Sequence, residues 1–598
     1  EAMTVTEDVA AVTWDLQDLV DGRGDDGVGG LLDEADRRAA ELAAHRGKVA
    51  AFDATGLAEF MGGLAALREV LGKAESYAGL RFSGDTTDAA AGALMQRVEE
   101  RSARVETELI FFDLEWAALP RERVDELLAD PRLAFCRHHL ATVRRYREHL
   151  LSEPEERILT EKAVTGWTAW TRLFGELTSA LDVELDGSPA TLEEGLSRLH
   201  DPSREVRREA ADAVTAGLAP GLRTRAFIFN TLLQDKAVDD RLRRYRHWLA
   251  SRNLANEASD ESVEALVSAV RRRSELPQRW YRVKARLLGL DRLADYDRLA
   301  SVAEEEPVVP WREAREVVLD CYESFSPELA GVARRFLDEG WVDAPVRPGK
   351  RPGAFCAYTV PSVHPYVLLN YTSRRSDVLT LAHELGHGLH AFLAADQGVF
   401  HQSTPLTMAE TASVFGETVV FGRLLELADS PASRLALLAR NVEGAIATVF
   451  RQTAMNRFEE LVHTTRQEEG ELSVDRFGDL WAESQAELLG DAVEITDGYR
   501  SWWSYIPHFI GTPGYVYAYA YGQLLALSVY RRYRELGEAF VPRYLELLAA
   551  GGSDSPEALG RMVDCDLSDP GFWDGGLAIV ESQLDAAEAA AREAGRLG

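Results

Sequence analysis

Apolar residues recur at a helical period along almost the whole of this chain, and the pattern breaks in one region, residues 341–372. Ala, Leu, Glu and Arg fall at spacings of three and four in residues 30–50, 54–78, 88–118 and 137–150, which gives each predicted helix one apolar face. At 598 residues the chain outgrows a single hydrophobic core. The expectation is a large, mainly α body of more than one packed lobe, without a fixed-period repeat. Ser152 followed by Glu155, with Pro154 in the first turn, marks one helix start as a capping box.

The exception is informative. Pro and Gly crowd residues 345–353, and two β-rich stretches follow, residues 354–360 and 366–371, on either side of Pro361-Ser362-Val363-His364-Pro365. This predicts a small sheet or hairpin leading into the next helix. An edge strand in that place can bind an extended peptide by strand addition.

The next helix, over residues 377–395, carries His383-Glu384-Leu385-Gly386-His387. Residues four apart share a helix face, so His383 and His387 can reach one ion while Glu384 stands beside them as a base. Two imidazoles and a carboxylate suit Zn2+, one ion per chain, although cobalt or manganese accept the same donors.

A catalytic zinc takes a third protein ligand and keeps one position for water. His390 lies on the same face as His383, but seven residues of helix rise about 10 Å, too far for donors at roughly 2 Å from one ion. The extended pattern with a third His at position 393 also fails, because that residue is Leu393. Glu410, in a second helical segment reached through residues 398–405, is the better candidate. Glu417, seven residues further on the same face, is placed to accept the free N–H of a liganding imidazole.

These stretches resemble the M3 family of metallopeptidases, the group of thimet oligopeptidase and oligoendopeptidase F. The likeness rests on Gly349-Lys350-Arg351-Pro352-Gly353-Ala354-Phe355, on His364-Pro365-Tyr366-Val367-Leu368-Leu369-Asn370-Tyr371, on residues 380–390 and 408–417, and on Ile506-Pro507-His508-Phe509 with the tyrosines after it. Leu287-Leu288-Gly289-Leu290-Asp291 with Tyr296-Asp297 is similar to oligoendopeptidase F chains as well. The resemblance implies a two-lobed helical ellipsoid with a deep central channel, a thermolysin-like zinc site and a small β-sheet near it. It also implies a helical region over residues 1–199 forming part of the channel wall, with an oligoendopeptidase F subdomain at about 115–185. The catalytic domain would span residues 200–590. Zinc ligands His383, His387 and Glu410 follow from the same likeness.

Hydrolysis by an activated water creates an oxyanion that needs hydrogen-bond donors. The segment after His508 offers them: Tyr515 with Tyr519, and Tyr517 with Tyr521, form two i,i+4 pairs on different helix faces. The family carries a His and tyrosines after a glycine-containing loop for this purpose. His508, Tyr515 and Tyr519 are the favoured residues, and Gly511, Pro513 and Gly514 suggest a loop that moves on substrate entry.

The function expected is a zinc-dependent endopeptidase that cuts internal bonds of short, unstructured oligopeptides, with a zinc-bound water activated by Glu384. A metallocarboxypeptidase on a related scaffold and a silent peptide-binding scaffold are the competing readings; Glu384 argues against the second, since a structural zinc has no use for a base. The net charge of -32 repels phosphate backbones and anionic headgroups, so nucleic acid and membrane are not expected partners. Cys136, Cys321, Cys356 and Cys565 show no paired spacing, and no basic-then-apolar leader or long apolar run is present, which makes the cytoplasm the default location. The oligomeric state is open between monomer and small homo-oligomer.

Overall fold

Asp53 and Asp88 start the two longest helices of the N-terminal region, accepting from the backbone N–H of Gly56 and of Ala90, each at 2.8 Å. Those helices, Ala54–Gly84 and Ala89–Ala118, pack together with Gly24–Ala43; the second matches the expected stretch 88–118 closely, whereas the first runs on past residue 78 and Gly24–Ala43 is displaced towards the N-terminus from the expected 30–50. Phe60 stacks on Phe112 at 4.6 Å between ring centroids, and buried Trp116 donates its indole N–H to the Leu140 carbonyl. Burial on this scale contributes roughly 1.5–3 kcal/mol per large apolar side chain. Ser152 donates its N–H to the Glu155 carboxylate at the start of helix Glu153–Ala163, the half of the capping box expected of the Glu, while the Ser152 hydroxyl donates to the same carboxylate.

The computed structural model describes residues 9–163, 165–302, 307–351 and 353–597. The protein is mainly α, and the sheets among the described residues are small: two of two strands and one of three. No helix among those residues is long and apolar enough to cross a membrane.

The chain divides into two compact units, each assembled from three separate stretches. This cut differs from the sequence-order division at residue 199. The first unit comprises Glu1–Arg147, Glu306–Glu426 and Ala526–Leu567. It contains the three-stranded sheet: Tyr366–Tyr371 in the centre, Val342–Pro345 parallel on one side and Phe355–Ala357 antiparallel on the other. The two β-rich stretches thus pair as expected, with Cys356 opposite Val367, while the partner Val342–Pro345 went unforeseen. Phe355–Ala357 is an edge, and both it and Tyr366–Tyr371 pack on helix Arg375–Leu393.

Two of the resemblance stretches turn out to anchor this sheet. The Lys350 ammonium is buried and donates to the Asp343 carboxylate at 2.6 Å and to the Pro345 carbonyl at 2.8 Å. Asn370 donates to the carbonyls of Arg351 and Gly353.

The second unit comprises Glu148–Glu305, Leu427–Leu525 and Ser568–Gly598. Its core is aromatic. Phe229 stacks on Phe477, Phe477 on Trp503, and Phe458 lies 5.0 Å from Phe509. Helices Leu222–Leu242, Gln452–Glu469 and Val474–Leu489 supply most of these rings. The buried Asp297 carboxylate accepts from Arg204, from Arg207 and from the Ala294 N–H. The stretch ending at Asp297 is therefore a buried charged anchor, held because every partner is present.

Candidate metal centre and active site

Helix Arg375–Leu393 begins where Asp377 accepts from the backbone N–H groups of Thr372 and Arg374, at 2.7 and 3.0 Å. Two turns later, His383, Glu384 and His387 emerge. The helix crosses Leu406–Leu427 at two glycines. A Cβ on Gly386 would lie 2.5 Å from the Ala412 carbonyl oxygen and 2.6 Å from Ser413 Cα, so only glycine admits the second helix there. Gly416 makes the reciprocal approach, facing the Ala382 carbonyl and the Tyr322 hydroxyl. Gly386 thus lies within the histidine motif and sets how near Glu410 can come.

The result is a three-donor cluster. Glu410 Oε2 is 3.3 Å from His383 Nε2 and 3.6 Å from His387 Nε2, and one donor atom from each residue lies within 4.8 Å of the others. His383 Nδ1 is 3.0 Å from Glu417 Oε2, which turns Nε2 towards Glu410. Ser413 donates its hydroxyl to Glu410 Oε2 at 2.6 Å. Residues 398–405, expected as a plain loop, include a short helix, Gly398–His401.

Electrostatics favour a cation here. Burial pushes the Glu384 carboxyl up to about 7, and the charges of Glu410 and Glu417 add to that against the pull of His383. Burial acts to lower His383, yet the Glu417 hydrogen bond and the carboxylates around it carry this imidazole to about 9. Burial holds His387 below the ordinary imidazole range, despite the pull of Glu410. Three carboxyl groups thus surround two imidazoles, and a divalent ion would balance them. Two nitrogens and one oxygen within reach of one another match the donor set of such an ion.

Glu384 is 92% shielded from solvent, with an accessible fraction of 8%. Burial raises both Cys356 and Tyr358, and the charge of Glu384 adds to it at Cys356, as do those of Cys356, Glu410 and Glu384 at Tyr358. Sequence reasoning passed over these two residues, which belong to the edge-strand region it did identify. His390 is buried, its ring nitrogens have no hydrogen-bond partner among the described residues, and burial lowers it to about 4. It packs as a neutral ring outside the cluster.

The second unit brings His508, Tyr515 and Tyr519 together. Ring centroids lie 6.0 Å apart for His508 and Tyr515 and 5.2 Å for Tyr515 and Tyr519, with Tyr519 Oη 3.4 Å from His508 Nε2. The helix starts later than the pairing argument assumed, at Tyr517–Leu536, so Tyr515 sits in the turn ahead of it. Tyr517 and Tyr521 are fully buried, Tyr517 Oη accepting from Asn256 at 3.0 Å, and take the core face. In the segment 511–514, Gly514 N–H donates to Glu459 and Arg252 donates to the Pro513 carbonyl.

The family model for peptidase family M3 matches residues 197–578. The chain belongs to that family. The model described as oligopeptidase F matches residues 115–182, inside the expected N-terminal region. Oligopeptidase PepF of Bacillus subtilis (strain 168) is 26% identical over 536 residues, covering 87% of this chain and 79% of its own. The crystal structure of a Chlamydophila abortus chain superposes with a TM-score of 0.85 at 22% identity, over 97% of this chain and 98% of that one. Oligoendopeptidase-F from Enterococcus faecium gives 0.70 at 22% identity, over 94% and 98%. As an M3 peptidase the chain is a metalloendopeptidase, a hydrolase of peptide bonds.

Proposed function

We propose that this M3 peptidase is a zinc-dependent oligopeptidase that cuts internal bonds of short, unstructured peptides, with His383, His387 and Glu410 holding the ion. The observation that carries the reading is the convergence of those three donors beside the shielded carboxyl of Glu384. The names of the relatives, oligopeptidase and oligoendopeptidase F, support the substrate class. The reading keeps the sequence-order division, a helical region over residues 1–199 ahead of the catalytic region 200–590, and the cytoplasm as location.

A bound zinc ion supplies Lewis acidity, lowering the pKa of a water and polarising the scissile carbonyl. Glu384 accepts the proton of the attacking water and returns it to the departing amine nitrogen. A carboxyl raised by burial towards neutrality suits both halves of that transfer. Glu417 fixes the His383 ring so that its Nε2 remains available. The edge strand Phe355–Ala357 offers unpaired backbone groups along which a peptide can lie extended. His508, Tyr515 and Tyr519 are proposed as donors to the developing oxyanion, a role supported by family likeness and by their mutual clustering.

Cleavage mapping by mass spectrometry tests this, using a mixed peptide library and a folded protein, with and without chelator. Internal cuts in short peptides that the chelator abolishes are expected, with the folded protein spared. Glu384→Gln should retain the metal and lose about 10²–10⁴ in kcat, the span of general acid–base catalysis. Full turnover by that variant would remove Glu384 from the mechanism.

A further inference from the structure

Behind the tyrosine cluster lies a carboxyl that the mechanism above does not use. Glu459, on helix Gln452–Glu469, has no solvent exposure. Its Oε1 accepts the Gly514 N–H at 2.8 Å, and its Oε2 has no hydrogen-bond partner among the described residues. A wholly buried carboxyl with one hydrogen bond is a costly way to fill space, since an apolar side chain would pack there without desolvation.

The surroundings explain the need for it. Gly514 has φ +73°, and a Cβ there would come within 2.6 Å of Leu249 Cδ1, so the turn is wedged against the Trp248 and Leu249 side. Arg252, from helix Ala250–Ala255, donates to the Pro513 carbonyl at 3.3 Å. His463, one turn after Glu459, stacks on Trp248 at 4.8 Å. Gly511 and Pro513 also border a cavity of 690 Å³, lined further by Lys236, Asp239, Arg252 and His463. Packing against Leu249 and Trp248 thus leaves part of the turn bordering open space. Beside the Arg252 bond to Pro513, the Gly514 amide is the second point at which the rest of the unit grips the turn, and the shorter of the two bonds. Tyr515 follows immediately, and Phe509, one residue after His508, is locked in the aromatic core.

We propose that Glu459 is a positioning residue: by accepting the Gly514 N–H it fixes the turn that sets Tyr515 against His508 and Tyr519. The proposal rests on the reading of those three side chains as oxyanion donors. Because such donors act in the transition state, loss of their placement lowers kcat more than it raises KM.

The zinc-loaded full chain and an internally quenched peptide cleaved by the wild type provide the assay. Glu459→Leu removes the acceptor at similar volume and should lower kcat about tenfold or more, with KM within about twofold and metal content unchanged. Glu459→Gln keeps an amide oxygen for Gly514 and should restore kcat to within about threefold of wild type. Wild-type kcat in Glu459→Leu overturns the proposal, and so does an equal loss in Glu459→Gln.

His508→Ala and Tyr515→Phe are measured beside them. If these two keep full kcat, the oxyanion reading fails; if they lose kcat while Glu459→Leu does not, only the positioning role fails. Should Glu459→Leu not fold, hydrogen exchange on the wild type decides: slow exchange of the Gly514 amide supports the anchor, and exchange at the rate of an open loop overturns it.

Discussion

Around His383, donor atoms converge because two helices touch at glycines; around His508, three rings converge beside a turn that two hydrogen bonds hold, one at the Gly514 amide and one at the Pro513 carbonyl. The first arrangement is made of regular backbone. Helix Arg375–Leu393 fixes the spacing of His383 and His387, and the crossing at Gly386 and Gly416 fixes the approach of Glu410. The second depends on an irregular segment, where Phe509 and Tyr517 are held in the core and the residues between them are steered from Glu459 and Arg252. Precision that comes from helix packing tolerates little added volume. Precision that comes from a pair of hydrogen bonds is weakened with the loss of one acceptor.

The largest effect should therefore come from adding atoms at the helix crossing. Gly386→Val leaves every proposed ligand in the chain but puts a branched side chain where a single Cβ already meets backbone at 2.5–2.6 Å. The helices must part, at a cost of about 1–3 kcal/mol, and a displacement on the order of 1 Å at Glu410 can cost about 10²-fold in rate. Kinetics and metal analysis of the purified variant check this. Wild-type activity with full metal would show that the crossing does not set the ligand.

Removal of a partner at the same site is gentler. Glu417→Ala frees the Nδ1 side of His383, from which Glu417 Oε2 lies at 3.0 Å. Metal affinity should fall about 10–100-fold, as for other groups that orient a liganding imidazole. Competition against a fluorescent chelator measures it, and unchanged affinity would leave Glu417 as an ordinary surface carboxylate.

The same contrast governs how much was legible in the sequence. His383, Glu384 and His387 were readable because a four-residue spacing means one helix face whatever the rest of the chain does. Glu410 and Glu417 needed only a second helix packed on the first. Gly386 and Gly416 carried no visible sign, since a glycine in a helix does not announce which backbone approaches it. Strand Val342–Pro345 was missed because four wholly buried residues ending in proline give no alternation to read. The two compact units were hidden for a deeper reason: each gathers three distant stretches, which no local pattern reports. In the tyrosine segment, periodicity gave two pairs and could not say which faces the core.

That ambiguity gives the next test. Tyr519→Phe removes the hydroxyl 3.4 Å from His508 and should lower kcat about tenfold, less than the roughly 10²–10³ of an enclosed oxyanion donor because the cluster is half-buried. Tyr517→Phe removes a hydroxyl that serves the core through Asn256, so kcat should hold while stability drops by about 1 kcal/mol. The reverse outcome, with kcat lost at Tyr517 and kept at Tyr519, would exchange the roles of the two faces.

The effect expected to leave kcat least changed is one of pH on stability, and it separates the two regions by sign. Burial raises the Glu459 carboxyl from an ordinary value of 4.5 to about 8, against the Gly514 hydrogen bond and the charges of Arg252 and Lys236. The folded chain then holds a proton that the unfolded chain gives up above about 4.5. Stability from this group is complete below that pH, declines as pH rises, and is lost once pH passes about 8. The slope between those limits is at most about 1.4 kcal/mol per pH unit. In Glu459→Gln the slope is absent, so its Tm relative to wild type should climb by a few degrees from pH 6 to pH 8.5. The metal centre moves the other way, because its imidazoles must shed protons to bind an ion and affinity falls as pH drops. A Tm difference that stays flat across the range would mean that Glu459 is ionised in the folded chain throughout, and that the turn it grips is held by a charged acceptor.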